Sequence, residues 1–256
     1  MLVLIVFLIL IIIILPAIVI LPQSFTSLNY FTYPIPDYSL KWYEKFFANK
    51  EWIVGLERSL LIAVISAILA TIIGTMAAVA IQKLSFKGKS VFMSLMIAPM
   101  VVPVIITGVA LYTTFSKIGL TNTIPGIVLA HTLLAIPMVF ITMMSGLSNV
   151  NENLELAAMS MGASPIRTFF QVTLPTVKSS VTASMLFAFV TSLDEVVVTI
   201  FVSGANTKTL TMVMWENLRT TINPTLAVAA TFLVVLTLGT YVTKEVIEVN
   251  SRNKIN

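Results

Sequence analysis

Long stretches of this chain carry no charged residue, and that limits the folds open to it. Positions 59–82 form one such stretch and positions 2–21 another. A helix rises 1.5 Å per residue, so about 20 apolar residues cross the roughly 30 Å hydrocarbon core of a bilayer. Further candidate spans are 91–115, broken by Pro99 and Pro103, 123–147, 181–202, and 225–242. The first run, Met1–Leu21, has no basic start and no small-residue cleavage site after it, so a retained helix is expected rather than a signal peptide. Charged residues make up 10% of the chain, against about 25% in a typical soluble domain. Such a chain cannot clothe itself in polar surface, and the bilayer must be its solvent. The expected fold is an all-α integral membrane protein of about six transmembrane helices, forming one domain over 1–256.

The same composition excludes several functions. A net charge of +4 could suggest nucleic acid, but the basic residues are scattered through short loops and form no stripe, so no nucleic-acid partner is expected. With no cysteine and one histidine, neither a disulfide nor a protein-only metal site is expected. Gly88-Lys89-Ser90 resembles the end of a phosphate-binding loop. Lys83 stands where that loop needs its first glycine, and a membrane helix precedes it, so the chain is expected to bind no nucleotide.

Two segments between the spans are informative. Positions 23–57 are rich in Tyr, Trp and Pro, which suit the headgroup region, and Lys41, Glu44 and Lys45 suggest a short amphipathic helix there. This segment is expected to be external. In the second span Ala70, Gly74 and Ala78 recur every four residues, giving one face that another helix can approach closely. Loop charge leaves the orientation open: eight basic residues, among them Lys244, Arg252 and Lys254, fall on one side and seven on the other.

Positions 149–180 are polar and punctuated. Asn153 can cap a helix over Leu154–Met161, with Glu155 complementing the dipole in its first turn and Gly162 ending it. Ser164 and Pro165 can start a second helix, with Phe169, Phe170 and Val172 on its apolar side and Pro175 ending it. The result is a short helix-turn-helix outside the bilayer. Ala157 and Ala158 leave it a smooth surface that fits a groove on another protein.

The spacing Ala157-Ala158, three residues, Gly162, nine residues, Val172, one residue, Leu174-Pro175 resembles the cytoplasmic signature of permease subunits of ABC importers. Two positions depart from it: Leu156 stands where the pattern has Glu, with Glu155 one residue earlier, and Val172 replaces Ile. The span layout, the long first external segment and the run Ser192–Gly204 look like the spermidine/putrescine permease group. The resemblance implies that 149–180 is a cytoplasmic coupling loop, with Glu155, Leu156, Ala157, Ala158, Gly162, Ala163, Val172, Leu174 and Pro175 passing ATPase motion to the spans. It implies cytoplasmic termini in a bacterial or archaeal cell membrane. It also implies four partners: two ATPase subunits, a second homologous permease and an external solute-binding protein. ATP would be held by the ATPases and no cofactor by this chain, which would not be an enzyme.

Asp194 and Glu195 fall inside the fifth span, where charge is costly and usually faces an interior or a water-filled cavity. One reading has them touching a cationic substrate; the other gives them a structural role at a helix break. Adjacent residues differ by about 100° around a helix, so the two acids face different ways. His131 reads as an interior hydrogen-bonding group. Two rival functions stay open on the residues alone. An ion-coupled secondary transporter would use Asp194, Glu195 and His131 as a relay. An importer of the same family could instead carry iron, an anion or a small organic solute.

Overall fold

The computed structural model describes residues 2–252; Met1 and Lys254, both counted above, lie outside the described residues. In chain order the helices are α1 (Leu2–Gln23), α2 (Lys41–Ala48), α3 (Lys50–Lys83), α4 (Lys89–Val101), α5 (Val104–Ile118), α6 (Ile124–Leu147) and α7 (Glu152–Ser160). Then follow α8 (Pro165–Thr168), a π-turn (Phe169–Thr173), α9 (Leu174–Thr176), α10 (Lys178–Asp194), α11 (Val197–Val202), α12 (Leu210–Thr220) and α13 (Thr225–Arg252). No strand occurs among the described residues.

Four helices are long and apolar enough to cross a membrane: α1 from Ile5, α3, α6, and α13 as far as Val242. Two bent pairs, α4 with α5 at 104° and Pro165–Thr176 with α10 at 78°, raise the number to six if each is one span. The third span, expected over 91–115 with breaks at Pro99 and Pro103, is broken at only one of the two. Pro99 sits inside α4 without breaking it, and the break falls at Val102–Pro103. The residue before a proline is driven out of the helical region, and Val102 is extended at φ −72°, ψ 130°. The second span begins at Lys50 rather than Ser59. Asn49 accepts from the Glu51 amide at 2.9 Å and caps it. Its 34 residues reach about 51 Å, so its polar first turns extend beyond a 30 Å core.

Two compact units divide the chain: Met1–Ser59 with Lys208–Thr240, and Leu60–Thr207 with Tyr241–Asn256. The core of the first is aromatic. Phe46 is fully buried, stacks on Phe232 at 5.1 Å and lies 5.7 Å from Trp52. Trp42 donates its indole N–H to the Leu28 carbonyl at 2.9 Å, so the polar segment after α1 is tied to α2. Lys208 pairs with both Glu51 and Glu216, joining the start of α3 to α12. The hydrogen bonds it donates to Glu216 and Glu51, with their charge, outweigh burial and hold its ammonium above the usual lysine range.

The second unit packs α3 on α6 through small residues. Ala70, Gly74 and Ala78 are all buried, as their spacing suggested. A Cβ on Gly74 would meet Val139 Cγ1 at 2.6 Å and the Phe140 amide nitrogen at 3.2 Å, so the contact requires glycine. Val139, Phe140 and Met143 fill the other side.

Candidate functional site

In the loop before the fifth span the helix starts two residues earlier than expected. Asn151, not Asn153, is the cap: its side chain accepts from the Asn153 amide at 3.0 Å. The sequence offers two asparagines two residues apart, and only Asn151 keeps extended backbone, at ψ 111°. Glu152 and Glu155 then both lie in the first turn of α7. At the other end Gly162 has φ +90°. Its amide reaches the Met159 carbonyl at 2.9 Å and the Ala163 amide reaches the Ala158 carbonyl at 3.1 Å. This pair of bonds is the Schellman closure, which needs the left-handed residue that glycine supplies cheaply. Ser164 caps α8 through the Arg167 amide at 3.3 Å, with Pro165 in the first turn. The chain bends at Val177, two residues after Pro175.

Glu155 is turned inward and is 8% exposed. One carboxylate oxygen pairs with Lys83, the last residue of α3, and the other accepts from the Thr173 hydroxyl in the π-turn. Burial by itself pushes this carboxyl up. Hydrogen bonds from Lys83 and Thr173, with the lysine's charge, more than offset that and hold it below the usual range. Its carboxylate is thus committed inside the chain. Leu156 is 55% exposed. Ala157, Gly162 and Pro175 are exposed as well, while Ala158, Ala163, Val172 and Leu174 are half-buried. Leu154, Met161, Ile166 and Phe170 are also exposed, interspersed with exposed Glu152, Asn153, Ser160 and Arg167. Behind the loop lies an apolar cleft of about 670 Å³, bounded by Met76, Val79, Met159, Ile166 and Phe170, with Lys83 and Glu155 in its wall.

The second site is the break in the fifth span. α10 ends at Asp194, and α11 begins at Val197. Glu195 accepts from the Val198 amide at 2.7 Å and so serves the first turn of α11. Asp194 is exposed. His131 of α6 is fully enclosed and holds both sides of the break, with Nδ1 2.8 Å from the Ser192 hydroxyl and Nε2 2.9 Å from the Thr199 hydroxyl. The Thr199 hydroxyl also donates to the Glu195 carbonyl at 3.0 Å. The Glu195 carboxylate and the Thr199 hydroxyl thus each satisfy a backbone group at the break, and His131 bridges Ser192 and Thr199 across it.

Sequence reasoning singled out Glu155, Asp194, Glu195 and His131 but missed Lys83, Thr173, Ser192 and Thr199. The one available signal was Lys83 itself, the charge that terminates the uncharged run of α3. The hydroxyl partners are ordinary residues whose role depends on tertiary contact.

The loop's capped helix and glycine turn, followed by Leu-Pro and set among membrane helices, point to a transport protein, and comparison with known proteins agrees. Residues 70–248 match the model of the binding-protein-dependent transport system inner membrane component family. The spermidine/putrescine transport system permease protein PotC of Haemophilus influenzae is 31% identical, covering 82% of each chain. The putrescine transport system permease protein PotI of Escherichia coli K12 is 32% identical over 77% of this chain and 72% of its own. Among solved structures, a bacterial ABC transporter involved in alginate import shares the fold, with a TM-score of 0.73 at 14% identity over 94% of this chain and 91% of that one. Motif, helical membrane architecture and a match spanning the fold from α3 to α13 agree, and the chain belongs to the family of binding-protein-dependent transport system inner membrane components.

Proposed function

We propose that this permease carries polyamines of the spermidine and putrescine class, driven by ATP hydrolysed on partner subunits. Its 153–175 loop would rest on an ATPase. The observation that carries the reading is the loop itself, a capped helix and glycine turn that exposes Leu156, Met161 and Ile166 while its carboxylate is turned inward. Large exposed apolar side chains in a loop fit a groove on a folded partner better than they fit water. The polyamine assignment is supported by two relatives at about 30% identity whose names carry those substrates.

In this reading the loop and both termini are cytoplasmic, and positions 23–57 face outward. Two ATPase subunits, a second permease of the same family and an external solute-binding protein complete the assembly. ATP stays on the ATPases, and this chain binds no cofactor and performs no covalent chemistry. Asp194, exposed beside a helix break, is the acid available to a cationic solute on its route. Glu195 is already used in closing the break.

The test is uptake of labelled spermidine and putrescine into vesicles holding the chain with its co-purified partners, with and without ATP. ATP-dependent uptake is the expected result. Hydrolysis stimulated by another solute, with no polyamine uptake, would remove the substrate assignment. Uptake in the absence of any ATPase subunit would remove the coupling reading.

A further inference from the structure

Glu155 stands apart from the rest of the loop. Among the described residues it is the one buried acid, and its two oxygens are shared between two separate pieces of the fold. Lys83 is the last residue of α3, whose other residues pack on α6 through Ala70, Gly74 and Ala78. Thr173 lies in the π-turn, the stretch that leads into the bend before α10. A π-turn inside a helix is uncommon and tends to occur where function has fixed an awkward geometry. A buried carboxylate stripped of its partner is left as an uncompensated charge, so a contact of this kind resists opening.

We infer that Glu155 is a positioning residue: with Lys83 and Thr173 it ties α7 to the end of α3 and to the π-turn, so that force on the loop reaches α3 as the movement of one rigid piece. The inference rests on the reading of the loop as the ATPase contact, and adds where the motion goes next. Without the tie, α7 is joined to the spans through the short turn at positions 148–151 and through its packing on the π-turn. A push on α7 would then be absorbed locally. With the tie, α3 is the lever, and its small-residue contact with α6 passes the displacement inward.

The experiment uses the full complex in lipid vesicles and reads solute moved per ATP hydrolysed. Glu155→Gln keeps shape and removes the charge. The ATPase subunits should still co-purify, while solute moved per ATP falls about tenfold, within the usual range of coupling between distant sites. Thr173→Val, which keeps shape and leaves the ion pair, should give a smaller loss and serves where Glu155→Gln folds poorly. A Lys83→Cys, Glu155→Cys pair in this cysteine-free chain supplies the sharper arm. Joining the two thiols with a short bifunctional reagent should restore transport per ATP relative to the unjoined form. Unchanged transport per ATP in Glu155→Gln and Thr173→Val, or a joined pair that stops transport, would overturn the inference. Aspartate at the outward positions, Leu156→Asp with Met161→Asp, separates the two levels. If it leaves the ATPase bound, the loop reading itself fails. If it releases the ATPase while Glu155→Gln changes nothing, only the tie fails.

Discussion

The loop at 152–176 and the break at 194–197 solve the same problem with different partners. Each holds two adjacent residues that the sequence offered together, Glu155 with Leu156 and Asp194 with Glu195. In each pair one side chain is turned in and used by the fold, and the other is turned out. In the loop the inward acid meets a cation, Lys83. At the break Glu195 meets a backbone amide, that of Val198, and the buried His131 bridges Ser192 and Thr199. An ion pair holds the first joint, and hydrogen bonds to an amide and through a histidine hold the second. The comparison separates residues that build the site from residues free to meet a partner or solute.

The largest effect expected from breaking it is at the inward acid of the loop. Glu155→Ala should cost about 2–4 kcal/mol of stability, because it removes a charge-assisted bond from Lys83 and leaves the buried Thr173 hydroxyl without its acceptor. Thermal unfolding of the purified complex measures this. The same contact makes a pH prediction. The folded carboxyl lies below its ordinary value of 4.5, so its contribution is complete above that value and is lost as pH falls through the lower folded value. Unfolding curves of the parent should fall in that acid window, and Glu155→Gln should flatten the fall.

The break should yield less. His131→Ala removes the partner of two hydroxyls, and polar contacts between membrane helices are individually modest, so about 1–3 kcal/mol is expected. Glu195→Ala removes one capping acceptor and should cost about 1 kcal/mol. A cost for Glu195→Ala above that for Glu155→Ala would invert the comparison. The outward residues should matter least to the fold. Leu156→Ala and Asp194→Asn should each change stability by less than about 0.5 kcal/mol, as surface changes usually do. Their effects should appear in function: Leu156→Ala in ATPase binding, and Asp194→Asn in the concentration of polyamine needed for half-maximal uptake.

Much of this architecture is legible in the sequence because hydrophobic run length, glycine and proline act locally. The spans from α3, α6 and α13, the small-residue face of α3, the Gly162 turn and the Ser164-Pro165 start all follow from such signals. Boundaries were less legible. Asn151 took the cap from Asn153, and α3 began at Lys50, because charged residues beyond the bilayer remain good helix formers. The 104° bend after Val102 was visible as a proline but not as an angle. Which of two adjacent residues turns inward was not legible at all. That choice depends on Lys83 lying near α7 and His131 lying near Thr199, and no local pattern in the chain encodes either meeting.

The most direct test of this division is crosslinking from single cysteines, which the cysteine-free chain permits without other changes. Leu156→Cys and Glu155→Cys are each placed in the assembled complex and treated with a short thiol-reactive crosslinker. The account expects position 156 to join to an ATPase subunit and position 155 not to. A crosslink from 155, or none from 156 in an intact complex, would contradict it.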